Sequence, residues 1–209
     1  MTVKRLFDLA VAAPGLVLLA PALVIIAVLV KLSSRGPAIF RQTRVGRHGR
    51  PFTLYKFRSM VVDAESRGGQ LTGSNDARIT SVGAWLRKLK LDELPQLWNV
   101  IRGEMSLVGP RPEVPRYVER YSPEQRRVLE LTPGVTDPAS LRYFDEGELL
   151  AQADDPESLY VREIMPEKIH LNLEYQRRAT IWSDLGIVLA TLARMTARRS
   201  LDRPLGRPG

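Results

Sequence analysis

The 209-residue chain carries 31 lysines and arginines against 23 aspartates and glutamates, a formal charge of +8, with 44% hydrophobic residues. That length holds one ordinary domain plus a membrane element, not two full domains. Cysteine is absent, which removes disulfides, zinc–thiolate sites and thiol nucleophiles, while the positive excess selects nucleic acid, phosphorylated small molecules or an anionic lipid surface as partners.

Residues 9–30 are 22 consecutive positions without a charge, about 33 Å of helix at about 1.5 Å per residue, enough for a bilayer core. The run is longer than the apolar region of about 7 to 15 residues in a secretory signal, and no small-residue cleavage site follows it. Pro21, at its middle, removes a backbone donor and crowds the preceding turn, which predicts a break into two arms too short to cross alone. Lys4 and Arg5 precede the run and Lys31 and Arg35 follow it, so both ends ask for the positive, cytoplasmic side. A re-entrant helix-break-helix over 1–35 is preferred to a single span, although proline is tolerated in true spans and Pro14-Gly15 offers a second kink.

Residues 31–60 hold eight lysines or arginines and no acid. Within them Ile39-Phe40 and the alternating stretch 52–57, separated by Gly46-Arg47-His48-Gly49, predict a β-hairpin. Residues 61–80, with Gly68-Gly69, Gly73, Ser74, Asn75 and Asp76, predict an irregular loop. The stretch 82–91 has helical spacing and a cationic side of Arg87, Lys88 and Lys90 that suits anionic headgroups. Glycine and proline punctuate 103–112, predicting a rigid loop that ends around Arg111. A helix is predicted over 122–131, with a serine cap, a proline at its first position and Pro133-Gly134 at its end. Further helices are predicted from Asp155-Pro156 and over 167–175 and 182–195. Residues 145–167 carry eight acids and a single base, Arg162, so the positive potential belongs to the membrane-proximal half. The expected class is α/β, mostly helical: a membrane segment 1–35, a cytoplasmic domain 36–197 and a basic, disordered tail 198–209.

Adjacent acids are common at solvated helix ends, but Asp92-Glu93 has distinctive neighbours. The pair follows Arg87, Lys88 and Lys90, lies between Leu91 and Leu94, and is followed by Pro95. In such a positive, partly apolar setting an acid stays ionised and serves as nucleophile or metal ligand. Two hard oxygen donors without histidine or cysteine favour magnesium, or manganese, over zinc. Arg111, bracketed by Pro110 and Pro112, suits bidentate phosphate recognition, and Lys56 and Arg58 of the 52–57 strand and its exit are further phosphate candidates. His48 and His170 are isolated. No phosphate-binding glycine loop, dinucleotide fingerprint or nucleophile elbow is present. A nucleic-acid binder built on residues 31–60 has no use for the carboxylate pair and lacks an aromatic platform, so no nucleic acid is expected.

Five stretches, in order, resemble one family. Lys4-Arg5-Leu6-Phe7-Asp8, the run from Gly36 to Gly46, Tyr55-Lys56-Phe57-Arg58-Ser59-Met60, Asp92-Glu93-Leu94-Pro95-Gln96-Leu97 and the run from Met105 to Pro112 are similar to motifs of the bacterial sugar transferases. These are monotopic phosphoglycosyl transferases that begin polyprenyl-linked glycan assembly. The resemblance implies a membrane hairpin broken at Pro21, with both ends on the cytoplasmic face of the bacterial plasma membrane, and a small α/β domain lying on inner-leaflet anionic lipids. It implies that Asp92 attacks the β-phosphate of a UDP-sugar, that UMP leaves, and that polyprenyl phosphate then takes the sugar phosphate from the aspartyl intermediate. Glu93 is then associated with magnesium, Arg87 and Arg111 with phosphate or active-site organisation, and Asp184 stands where the family tends to carry an aspartate. Two departures stand out: Ala20-Pro21 replaces the frequent Ser-Pro at the hairpin break, and residues 133–140 differ from the common Pro-Gly-x-Thr-Gly pattern. The sugar, the prenyl length, the pathway and the oligomeric state, a homo-oligomer included, are not specified by these motifs.

Overall fold

The computed structural model describes residues 2–69, 71–73 and 76–201. Helix α1 spans Val3–Ser33, with the Thr2 side chain accepting from the Arg5 amide as its cap. Among the described residues it is the only helix long and apolar enough to cross a membrane. Contrary to the expected break, α1 continues through Pro14 and Pro21 as one helix. A proline inside a helix costs about 3 kcal/mol, and packing on both sides of Pro21 opposes that cost. Ala12 is buried with Val100, Met105 and Leu107, and Ile26 and Val30 are buried with Phe57 and Leu86. The other face of α1 stays open, with Val17, Leu18, Val24 and Ile25 between 61% and 81% exposed.

Both ends of α1 are tied to the same body. Near its start, Arg5 donates to the carbonyls of Val100 and Ile101, and buried Asp8 accepts from Ser106 Oγ and the Leu107 amide at 3.0 Å each. At its end the helix leaves carbonyls without intrahelical donors. Arg58 meets them, donating to Val30, Ser34 and Arg35 at 2.6 to 3.2 Å. Arg58 is thus a buried clamp on α1 rather than the expected phosphate ligand.

The predicted hairpin is present. Strands β1 (Ile39–Val45) and β2 (Pro51–Phe57) pair antiparallel, from Ile39 opposite Phe57 to Val45 opposite Pro51, around a 3-10 turn at Arg47–Gly49. The 61–80 region holds the short helix α2 (Ala64–Arg67). Arg78 ties its irregular part together by donating to Asp76 and to the carbonyls of Ala64, Gly69 and Leu71. Helix α3 (Ser81–Lys88), capped by Thr80, fills the cationic stretch, and α4 (Gln96–Arg102) follows Pro95.

Two three-residue strands, β3 (Ser106–Val108) and β4 (Gly134–Thr136), pair in parallel; runs so short carry no readable alternation. Between them lie α5 (Pro115–Val118) and, where an α-helix was expected over 122–131, a 3-10 helix at Gln125–Glu130. So few residues before Pro133-Gly134 leave room for tight bonds such as Leu131 N–H to the Val128 carbonyl. Gly109 and Gly134 meet back to back: a Cβ on Gly134 would stand 2.1 Å from the Gly109 nitrogen. That approach fixes the backbone just before Arg111.

Helices α6 (Pro138–Arg142), α7 (Glu146–Gln152) and α8 (Pro156–Leu159) lead through a π turn at Tyr160–Ile164 into α9 (Met165–Gln176), and α10 (Ile181–Leu201) closes the described chain. The predicted helices over 167–175 and 182–195 fall inside α9 and α10. Helix α10 runs past the expected tail boundary at 198, and residues 202–209 of that tail lie outside the described residues.

Candidate active site

Helix α3 ends at Lys88, and Lys90 then adopts a left-handed conformation, φ 54°, that turns the chain sharply. A 3-10 turn at Leu91–Glu93 follows. Asp92 is 6% exposed, and its Oδ1 is buried without a hydrogen-bond partner. An oxygen in that state is costly to folding and is the kind of exception that marks a working group.

Glu93, next to it, accepts three hydrogen bonds. Its Oε1 accepts from Lys56 Nζ of β2 at 3.0 Å and from Arg111 Nη2 at 2.6 Å, and its Oε2 accepts from Arg111 Nη1 at 3.3 Å. The two carboxyls therefore separate. Burial pushes the Asp92 carboxyl up, and the Glu93 charge adds to this against the pull of Lys56, Arg87 and Lys90. Burial also acts upward on Glu93, but Arg111, Lys56 and Lys90 outweigh it and hold Glu93 well below the usual range. Neighbouring acids pushed apart in this way take different roles. Desolvation brings the Lys56 ammonium down to about 8, opposed by Glu93.

A cavity of about 490 Å³ opens beside the pair. Lys56, Arg87, Lys90, Glu93 and Arg111 are among its charged lining, and Val11, Gly15 and Leu19 of α1 with Val188, Leu192 and Met195 of α10 are among its apolar lining. A cavity that joins a cationic floor to an apolar wall suits a ligand with a phosphate head and a hydrocarbon tail.

The structure thus gathers five of the residues singled out in the sequence: Asp92, Glu93, Lys56, Arg87 and Arg111. Glu93 lines the cavity, and its neighbour Asp92 is buried. Arg58 is elsewhere, capping α1, and Pro21 sits exposed on that helix. Asp184 is also outside the site: buried at the start of α10, it pairs with Lys4 and accepts from Tyr175 Oη at 2.7 Å, tying α10 to the start of α1. Lys90 and Arg44 were visible only as members of basic stretches. Glu113, Glu146, Tyr160 and Lys168, which also line the cavity, gave no separate signal because they come from loops and helices far apart in sequence.

A cavity of this build suits phosphate binding, and comparison with known proteins gives the family. The family model described as bacterial sugar transferase matches residues 1–198, and the chain belongs to that family. It is 39% identical over 205 residues to an undecaprenyl-phosphate glucose phosphotransferase of Komagataeibacter xylinus, covering 93% of this chain and 36% of that protein. It is 40% identical over 196 residues to the UDP-glucose:undecaprenyl-phosphate glucose-1-phosphate transferase of Escherichia coli, covering 90% and 39%. It is 41% identical over 152 residues to a putative undecaprenyl-phosphate N-acetylgalactosaminyl 1-phosphate transferase of Bacillus subtilis, covering 70% and 81%. The chain spans well under half the length of the first and second of these relatives.

Proposed function

We propose that the protein transfers a sugar 1-phosphate from a UDP-sugar to a polyprenyl phosphate, undecaprenyl phosphate being the acceptor named for its relatives, and releases UMP. This is the first membrane step of glycoconjugate assembly, whether of an exopolysaccharide, O-antigen, capsule or glycoprotein glycan. The observation that carries the reading is Asp92 Oδ1, buried and without a partner beside the cationic cavity floor. In the ionised form it attacks the β-phosphorus of the donor, the bond from that phosphorus to the oxygen bridging to the α-phosphorus breaks, and UMP departs with that oxygen. An oxygen of the polyprenyl phosphate then attacks the same phosphorus, giving the polyprenyl diphosphate sugar and returning the Asp92 carboxylate. Arg111, Arg87 and Lys90 face the charge that moves between these oxygens.

Magnesium, with manganese as a substitute, fits the donor chemistry. Glu93 remains ionised beside Asp92, and no cluster of three or more metal-binding side chains occurs among the described residues, so substrate phosphate oxygens would complete the coordination. Glu93 would hold the ion, which when bound supplies neutralisation of diphosphate charge. The test is UMP release from a panel of UDP-sugars by purified protein with undecaprenyl phosphate, with and without magnesium. A donor-dependent product that chelation abolishes is expected; silence with every donor sinks the reading.

We further propose that α1, unbroken but kinked at Pro21, dips into one leaflet so that both its ends and the catalytic domain stay on the cytoplasmic face. Support comes from the attachment of both helix ends to one body through Arg5 and Arg58, from the exposed apolar face of α1, and from exposed Trp85, Trp98 and Trp182. Impermeant labelling of cysteines placed at positions 2 and 60 should report the same side, and opposite sides would rule out re-entry.

Rate should follow pH on both sides of a maximum. Lys56 is charged below about 8 and loses its proton above it, so the alkaline limb falls there as a positive charge leaves the phosphate floor. The acid limb reflects protonation of Asp92, whose raised value brings that loss to higher pH than an ordinary aspartate. Profiles of kcat/KM for wild type and Lys56→Arg provide the check, because arginine stays charged and the alkaline limb should vanish.

A further inference from the structure

We propose that Glu146 and Lys168, backed by Glu113 and Tyr160, form the subsite that reads the hydroxyl groups of the donor's sugar ring. This rests on the reaction proposed above. Three kinds of wall meet in the one cavity. Around Lys56, Arg87, Lys90 and Arg111 the single ionised partner described at the cavity surface is Glu93, so positive charge is in surplus and phosphate belongs there. Along α1 and α10 the wall is apolar and takes the prenyl chain.

The third wall is polar but charge-compensated. Lys168 Nζ, from α9, donates to Glu146 Oε2, at the start of α7, at 2.7 Å. The same ammonium stands 5.6 Å over the Tyr160 ring, and the Tyr160 hydroxyl donates to Glu113, which also lies 3.9 Å from Arg44. The side chains of Lys168 and Glu146 are 10% and 25% exposed, and both line the cavity. A fixed array of donors and acceptors with no net charge does not attract a second phosphate. It matches a neutral group bearing several hydroxyls, each able to donate to the carboxylate and accept from the ammonium. Arg111 and Glu113, two positions apart, line the same cavity as Glu146 and Lys168, and Glu113 accepts from the Tyr160 that lies under the Lys168 ammonium, which sets this array beside the phosphate end, where the sugar attached to the β-phosphate must lie.

The pyrimidine is a poorer occupant of that wall. Stacking needs a free aromatic face, and the nearby rings are taken: Lys90 and Arg194 stand 5.4 and 5.1 Å over Phe144, and Tyr117 packs on Tyr160 with centroids 5.1 Å apart. The segment just before α7 also includes residues 133–140, where Asp137 caps α6 and accepts from Ser140 and Asn172. Asn172 in turn donates to the Lys168 carbonyl, so the stretch that departs from the usual family pattern braces the helix carrying Lys168.

The experiment compares kcat/KM for UDP-glucose, UDP-galactose and their N-acetylated counterparts in full-length wild type and in the double variant Glu146→Gln/Lys168→Gln. The double change removes both charges together, so neither is left buried alone. The ratio of best to worst donor is expected to fall about 10- to 100-fold, as when a site built to bond a hydroxyl loses that bond. Inhibition by UMP and the KM for polyprenyl phosphate should hold. Glu146→Asp, which keeps the pair but withdraws the carboxylate by one methylene, is a milder variant should the double one fold poorly, and it should shift the ratio the same way; Lys168→Arg should preserve it. An unchanged ratio in both Glu146 variants overturns the subsite, and weaker UMP inhibition with an unchanged ratio reassigns the wall to the nucleotide. Wild type inert toward every donor overturns the transfer reaction itself, a different result from an active enzyme with unaltered preference.

Discussion

Asp92→Asn is expected to give a folded protein whose turnover is lower by about 10⁴-fold or more, the scale on which removal of a covalent nucleophile acts. The amide keeps the shape of the side chain but has no ionised oxygen to attack phosphorus. Stability should move the other way. Asp92 is 6% exposed with an unpartnered Oδ1, and both burial and the adjacent Glu93 push its carboxyl up. A neutral amide relieves the repulsion, so the variant should melt at the same temperature as wild type or above it, as when function holds a strained group in place. Two measurements decide the matter: the thermal midpoint, and labelling of the protein by a donor carrying radioactive β-phosphate in the absence of polyprenyl phosphate. Wild type should retain label on the polypeptide and Asp92→Asn should not. Label on the variant would place the nucleophile elsewhere.

Arg111→Met should fail in a different manner, losing activity and stability together. Arg111 supplies two of the three hydrogen bonds to Glu93, and without it a buried carboxylate is left with Lys56 alone. Breaking one side of a buried ion pair costs about 3 to 5 kcal/mol. The phosphate floor also loses its fixed fork, worth about 10²- to 10³-fold in rate for one preorganised donor. The double variant Arg111→Met/Glu93→Gln separates these effects, since the neutral amide no longer needs the guanidinium. Its thermal midpoint should recover most of the loss while activity stays absent. Recovery of activity along with stability would show that neither Arg111 nor Glu93 takes part in the transfer.

Much of this site is legible in the sequence, for a physical reason. Asp92 and Glu93 are adjacent, and Arg87, Lys90, Leu91 and Pro95 all lie within five residues of one of them, so the local sequence already describes an acid pair among cations and apolar groups. Arg111 stood out because Pro110 and Pro112 restrict its backbone. The hairpin was legible because the alternation of 52–57 and the glycine turn at 46–49 are local signals. Arg58 misled because side-chain type does not reveal direction: the arginine that follows β2 turns toward the carbonyls ending α1, whereas Lys56, two positions earlier, reaches Glu93.

By itself the sequence determined the apolar N-terminal segment, the absence of thiol chemistry, the hairpin, the long helices and the carboxylate pair, since each depends on neighbours along the chain. Tertiary structure alone decided that α1 runs through Pro21 as one helix, because Ala12, Ile26 and Val30 are buried against residues between 54 and 108. It likewise decided the pairing of β3 with β4, whose strands are too short to show a period. The division of labour between Asp92 and Glu93 also came only with folding. Lys56 and Arg111, 37 and 18 positions from Glu93, converge on the glutamate and leave an oxygen of the aspartate bare, and contact between groups so distant in the chain is set by packing.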